Sequence, residues 1–314
     1  MLGPEAVQRV AVLGGGGVIG HGIALACAQK GCEVTVVSRR RETLDHGLAL
    51  IKDGPFGLAK AVKRGKLTAA EAEACLGRVR GTTDYAEGVE RADVVFESIP
   101  EEVGPKQECF RRVEPLAPPH AVFASNTSSI LIAELAAALA RPERLVGTHW
   151  FYPANVMPLV EVARSELVSD EVLEFAVAFL GRLGKKPVVV RDSPGFFMTR
   201  FINTYVAEAI RLVELGIAGI RDVDEMVKVG LGWPMGIFEL LDDAASFDSW
   251  YRAQRYLWET CGERYAIPPV ARKVFEAGYR GRSDLKPGSR GGWYEFFKEP
   301  RAVKAGAPEE ATHA

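Results

Sequence analysis

Short runs of aliphatic and β-branched residues alternate with stretches of helical period through the first half of the chain. The runs predict strands over 9–13, 33–37, 79–82, 93–97, 121–125 and 145–148. Helical spacing fills the intervals, notably 20–30 and 105–116. Strands separated in this way by helices predict a parallel sheet covered on both faces, a doubly wound α/β domain. The interval 52–76 is longer and more charged than a crossover needs, and reads as a projecting helical hairpin.

Beyond Thr148 two further strands are expected, 159–163 and 187–191, with a helix over 170–183 between them. After Asp192 strand signals stop. Apolar residues then recur at helical spacing over 196–215 and again over the aromatic-rich 246–261, with Asp222 and Glu225 expected to form an acidic capping box between them. The run Asp192-Ser193-Pro194-Gly195 punctuates the change. The expected organisation is an α/β domain over 1–191, a smaller all-helical domain over 192–298, and a disordered Ala-, Pro- and Glu-rich tail over 299–314.

Composition narrows the function classes. With 314 residues and a net charge of −2, the chain carries no global field to attract nucleic acid or a membrane surface. No apolar stretch approaches the roughly 20 residues of a membrane span, and the N-terminus lacks the layout of a signal peptide. The 5 cysteines are odd in number and include no C-x-x-C pair. That pattern predicts neither a disulfide framework nor a zinc site, and fits a reducing cytoplasm.

The first strand runs into Gly14-Gly15-Gly16-Gly17-Val18-Ile19-Gly20. Gly15, Gly17 and Gly20 give G-x-G-x-x-G between a strand and a helix, with Val18 and Ile19 between the last two glycines. Glycines there let the backbone approach a pyrophosphate, and the helix start offers unpaired N–H donors. The fold expectation becomes Rossmann-type, with a nicotinamide dinucleotide as cofactor and no metal. At the end of the second strand, where an acid ordinarily accepts from the ribose hydroxyls, stand Ser38 and Arg39. An uncharged side chain cannot repel a 2′-phosphate and an arginine can pair with it, which favours NADP(H) over NAD(H). The alternative is an ordinary solvated basic run over Arg39–Arg41 beside a serine that tolerates NAD(H).

The strand ending at Thr148 is followed by His149, and Glu161 lies in the next strand, 161 − 149 = 12 positions on. Removing a hydride from a secondary alcohol requires a base for its proton. A neutral histidine with a carboxylate behind it suits that task, while spacing alone fits a structural histidine equally well. The fifth strand ends in Ser125-Asn126-Thr127-Ser128-Ser129, at the sheet edge that faces a cofactor.

Taken together, these segments resemble the 3-hydroxyacyl-CoA dehydrogenase family. GTHWFYPANVMPLVEV is similar to its G-x-H-F-F-N-P-x-x-x-M-x-L-V-E-V, and SNTSS to its serine-bearing segment. DSPGFFMTRF, VGLGWPMGIFELLD and FESIPEEVGPKQECF resemble three further family motifs, in order, over about residues 10–294. The resemblance implies a His149/Glu161 acid–base pair and a Ser125 hydroxyl on the reacting 3-oxygen with Asn126 nearby. It also implies Glu101 and Lys106 at the cofactor and the CoA arm, and a homodimer formed through the helical domain. Lys60, Lys63, Arg64 and Lys66 on the hairpin are either contacts for CoA phosphates or a solvated face.

Two departures bear on the substrate. Thr199 stands where the family has Asn, and Tyr152 where F-F-N-P has Asn. Thr199 still offers a hydroxyl to a substrate, and Tyr152 either trims the acyl site or packs. The expected function is interconversion of a 3-hydroxyacyl-CoA and a 3-ketoacyl-CoA. The alternative is a dehydrogenase of the same fold acting on a non-CoA hydroxy acid, sugar-acid or carnitine-like.

Overall fold

Eight strands form one sheet: β1 (Arg9–Leu13), β2 (Glu33–Val37), β3 (Val79–Thr82), β4 (Val94–Glu97), β5 (Val122–Ser125), β6 (Leu145–Trp150), β7 (Leu159–Arg164) and β8 (Lys186–Arg191). Their order is β3-β2-β1-β4-β5-β6-β7-β8. Every neighbouring pair is parallel except β6 and β7. The computed structural model describes residues 2–243, 246–283 and 288–300, so residues 301–314 of the expected tail lie outside the described residues.

Strands β1, β4, β5 and β6 are buried almost throughout, which accounts for their continuous apolar sequences. They are covered by α1 (Gly20–Gln29), α2 (Arg41–Asp53), α3 (Leu58–Lys63), α4 (Ala69–Leu76), α5 (Tyr85–Val89), α6 (Val103–Val113), α7 (Ile132–Ala136) and α8 (Asp170–Arg182). The expected hairpin interval holds α3 and α4. The latter begins at a Thr68/Glu71 capping box, in which the Glu71 carboxylate accepts from the Thr68 N–H at 2.8 Å.

The antiparallel strand departs from an all-parallel reading. Only residues 151–158 separate β6 from β7. A parallel return needs a crossover of about a dozen residues or more, so the chain can only turn back. The reversal sets His149 and Glu161 directly opposite each other in register. Helix α8 then provides the crossover to β8; its N-cap Ser169 accepts from the Val172 N–H at 3.2 Å.

The chain divides into two units, Met1–Arg200 and Phe201–Ala314. The helices from the end of the first unit onward are α9 (Met198–Glu214), α10 (Ile220–Leu231), α11 (Ile237–Asp243), α12 (Phe247–Cys261), α13 (Pro269–Glu276) and α14 (Trp293–Phe297). The second unit has its own core, in which Phe238, Phe247 and Trp293 are fully buried. Buried Asp224 accepts from the Phe238 and Glu239 N–H groups at 2.7 and 2.9 Å, and from the Tyr294 hydroxyl at 2.8 Å. The expected capping box at Asp222 and Glu225 is corrected: α10 begins earlier, and Asp222 occupies its third position, accepting from the Gly219 N–H at 3.2 Å. Among the described residues, no helix is long and apolar enough to cross a membrane.

Candidate active site

The glycine loop leaves β1 at Gly14, whose φ of +77° and close approach to the Ser98 carbonyl admit only glycine. A Cβ on Gly20 would run into the Gly14 carbonyl, so the start of α1 is pressed onto the strand end. Within the loop the Gly15 N–H donates to Val12 O at 3.2 Å, the Gly17 N–H to Gly14 O at 2.9 Å and the Gly16 N–H to Ser38 Oγ at 3.1 Å. The N–H groups of Val18 and Ile19 are left without a partner among the described residues. Two free donors immediately before a helix start fit the pyrophosphate of a dinucleotide. Ser38 is buried and uncharged, and Arg39 beside it is exposed.

At the other end of the site His149 Nδ1 lies 2.7 Å from Glu161 Oε2. Both side chains are nearly enclosed, at 7% and 2% exposure. An ionised carboxylate only accepts, so Nδ1 carries the proton and Nε2 keeps its lone pair. Nε2 makes no hydrogen bond among the described residues. The remaining oxygen, Glu161 Oε1, accepts from the Phe197 and Met198 N–H groups at 3.1 and 3.0 Å, at the start of α9. These two donors orient the carboxylate. The imidazole is flanked by Phe151 and Phe196, with ring centroids 4.4 and 6.1 Å away.

The segment after β5 is placed by the half-buried Glu101. Glu101 Oε1 accepts from Thr127 Oγ1 at 2.7 Å, from the Ser128 and Ser129 N–H groups at 2.8 Å, and from Ser129 Oγ at 2.9 Å. Asn126 donates to Ser98 Oγ at 3.0 Å and accepts from the Trp150 N–H at 2.9 Å, tying the segment to the residue after His149.

The expectation for Ser125 is corrected. Ser125 has no exposed surface, and its hydroxyl donates to Glu97 Oε2 at 2.5 Å. With its one proton committed inside the sheet, it is not presented to a substrate. Three residues on, Ser128 is half-buried and its hydroxyl makes no bond among the described residues. Sequence reading missed Ser128. The signal lay in the run itself, where four hydroxyls stand close together; two acids take three of them, and only the fourth is left to serve a ligand.

Lys106 lies among the same acids. Its side chain is 0% exposed, with Nζ 2.6 Å from Glu97 Oε1, 3.5 Å from Glu101 Oε2 and 3.2 Å from Ile99 O. Burial opposes its charge, but the two carboxylates outweigh that and raise its pKa. Burial likewise works against the Glu101 charge, yet Lys106 and the loop donors hold that carboxyl below its ordinary range.

Thr199 is buried in the first turn of α9. Tyr152 is partly exposed, and its ring meets Phe56 edge-on at 5.6 Å between centroids. The structure therefore brings His149 and Glu161 together, joins the 126–129 segment to them through Asn126, and leaves Tyr152 on a separate aromatic contact.

Residues 9–193 match the family described as 3-hydroxyacyl-CoA dehydrogenase, NAD binding domain, and residues 195–290 match its C-terminal domain. The human mitochondrial hydroxyacyl-coenzyme A dehydrogenase is 39% identical over 253 residues, which cover 78% of this chain and 80% of that protein. The alpha subunit of a Shewanella amazonensis fatty acid oxidation complex is 36% identical over 304 residues, covering 96% of this chain and 41% of the relative. The solved structure of (S)-3-hydroxybutyryl-CoA dehydrogenase from Ralstonia eutropha superimposes with a TM-score of 0.79 at 31% identity, over 90% of this chain and 99% of that one. A paired histidine and carboxylate and a dinucleotide loop, on a chain matched along both domains, identify a member of the 3-hydroxyacyl-CoA dehydrogenase family, an NAD-dependent oxidoreductase of 3-hydroxyacyl thioesters.

Proposed function

We propose that this chain interconverts short 3-hydroxyacyl-CoA and 3-ketoacyl-CoA thioesters, with His149 as general base and acid and Glu161 as its partner. The observation that carries the roles is the enclosed His149–Glu161 pair at 2.7 Å with Nε2 unengaged. Bound NAD(H) supplies acceptance or donation of the hydride. In oxidation, Nε2 removes the proton of the 3-hydroxyl and Glu161 stabilises the imidazolium. In reduction, the imidazolium returns that proton to the 3-oxygen. Ser128 hydrogen-bonds the 3-oxygen in place of Ser125, and Thr199 offers a second hydroxyl. Asn126 acts through its bonds to Ser98 and Trp150.

Gly15, Gly17 and Gly20 would hold the cofactor, with the free N–H groups of Val18 and Ile19 available to its phosphates. Glu101, 14% exposed, borders it. At the ribose end no acid repels a 2′-phosphate and Arg39 is exposed, so NADP(H) is expected to bind at least as tightly as NAD(H). Lys60, Lys63, Arg64 and Lys66 are all exposed and fit the CoA phosphates. A four-carbon substrate is supported by the likeness to the Ralstonia 3-hydroxybutyryl-CoA enzyme.

A homodimer is supported by the apolar surface of the second unit, where Leu215, Ile217, Met226, Val229 and Leu231 are each more than half exposed. Four buried cysteines and a fifth half-buried one, all free, suit a reducing cytoplasm.

The test is oxidation of NADH and NADPH, in parallel, with acetoacetyl-CoA. Turnover abolished by His149→Gln supports the assignment. Turnover that survives the substitution removes His149 from the mechanism, and inactivity with both dinucleotides removes the four-carbon thioester.

A further inference from the structure

Within the second unit, α12 and α13 border a cavity of about 450 Å³ that shares no residue with the candidate active site. On α12, Tyr251, Arg255 and Trp258 recur at i, i+4 and i+7 and so share one face, with Arg252 beside them. On α13, Arg272 and Phe275 stand three apart and line the same space. The two helices meet through the Tyr251 and Phe275 rings, stacked with centroids 3.9 Å apart. Buried Ile267, from the connection between the helices, completes the apolar part of the wall.

The polar part is built of guanidinium groups. Four arginines line the cavity against two acids, Glu259 and Glu276. Arg252 and Arg255 are paired along α12, to Asp248 at 3.2 Å and to Glu259 at 3.9 Å. Arg272 and Arg280 make no ion pair among the described residues. Arg280 is held instead over the Phe275 ring, 4.4 Å from its centroid. Its backbone N–H donates to Ser289 Oγ at 2.9 Å, beside the Gly281–Gly291 bridge, which fixes where the side chain starts. Its Nε is buried and has no hydrogen-bond partner among the described residues. An unmade bond at a buried donor works against folding, and an anionic ligand would supply the missing acceptor.

From this arrangement we propose that the α12–α13 cavity is an accessory binding site for a nucleoside monophosphate, a planar base carrying one phosphate dianion. The lining residues carry a net charge of 4 − 2 = +2, which matches the two charges of a phosphate monoester. Guanidinium forks pair with phosphate oxygens two at a time, and Arg272 and Arg280 have no acid to give up first. Size argues for more than an ion. At about 30 Å³ per water, a bare phosphate would leave most of the cavity to solvent. The aromatic wall suits the base. Trp258 is half-buried, and its Nε1–H donates to Glu263 Oε1 at 3.0 Å, which fixes an indole on which a base can stack. The site is independent of the reaction assigned to the first unit.

The experiment titrates the full chain, saturated with NADH, with adenosine 5′-monophosphate in a calorimeter. Wild type is expected to bind one equivalent per chain. The double variant Arg272→Gln/Arg280→Gln should bind it at least about tenfold more weakly, with the Kd for NADH unaltered. Trp258→Leu should weaken the monophosphate by about tenfold and leave the binding of inorganic phosphate unchanged. A second NADH per chain that is lost in the double variant also supports the site, since NADH carries a base and phosphates. One NADH per chain with no saturable monophosphate binding below about 1 mM overturns the proposal. Binding that survives the double variant overturns it as well. Inorganic phosphate that binds as tightly as the monophosphate removes the base and with it the proposed ligand class. Should the double variant fail to fold, the exposed Arg272 is replaced alone: weaker binding in Arg272→Gln supports the site, and unaltered binding overturns it.

Discussion

Replacing Glu161 by Gln tests the catalytic pair with little change of shape. The carboxylate accepts on both oxygens, from His149 on one and from the Phe197 and Met198 N–H groups on the other. An amide can satisfy only one side as an acceptor. If its oxygen keeps the two backbone donors, its NH₂ faces His149 Nδ1 and forces the proton to Nε2. The atom meant to take the substrate proton is then already protonated. The charge that stabilises the imidazolium is lost as well. With charge centres about 4 Å apart and an effective dielectric of about 20, that attraction is about 4 kcal/mol. This corresponds to about 10³ in kcat. The assay is stopped-flow oxidation of NADH by acetoacetyl-CoA, with the Kd for NADH measured separately and expected to be unaltered. Adding His149→Gln to Glu161→Gln should cost little beyond His149→Gln alone, since the two act as one unit. A Glu161→Gln enzyme within about threefold of wild type would refute the reasoning, because a dispensable carboxylate cannot be setting the tautomer.

Ser128→Ala should lower kcat by about 10- to 100-fold with little change in Tm, whereas Ser125→Ala should lower Tm by leaving Glu97 short of a buried donor. The reverse pattern in kinetics and thermal melting would restore Ser125 as the substrate contact. Ser38→Asp should place a charge at the end of β2 and weaken NADPH binding by more than about tenfold relative to NADH, read as two Kd values. Glu101 has a folded-state pKa below its unfolded one, so its contribution to stability is fully present above the unfolded value and is lost as pH falls through the folded value. Urea unfolding from pH 7 to pH 3 should therefore show a steeper loss for wild type than for Glu101→Gln, and parallel curves would contradict the assignment.

Local patterns carried much of the architecture. Eight runs became the eight strands within a residue or two, and in β1, β4, β5 and β6 burial on both faces imposes a continuous apolar sequence. The dinucleotide loop was legible for a similar reason: a turn that must pass close to Ser98 and Gly14 carbonyls excludes every side chain with a Cβ, and that exclusion is written directly as glycine. His149 and Glu161 could be nominated as residue types suited to proton transfer. The family resemblance, spread over separated motifs, supplied the reaction.

The sequence by itself thus determined the layered α/β plan, the glycine loop and the chemical identity of the acid–base pair, each of which depends on nearby residues. Tertiary structure decided the rest. Contact between His149 and Glu161 follows from a strand reversal forced by the short 151–158 connection, which a strand pattern does not express. Which hydroxyls of the 125–129 run stay unengaged was decided by Glu97 and Glu101, which take those of Ser125, Thr127 and Ser129 from 26 to 28 positions away in the chain. Lys106 reads as an accessible cation in its helix and becomes an enclosed one only when β4, α6 and the loop after β5 meet around it. Hydrogen-bond donors and charges are finite, and how they are shared among partners remote in sequence is fixed only when the chain has closed around them.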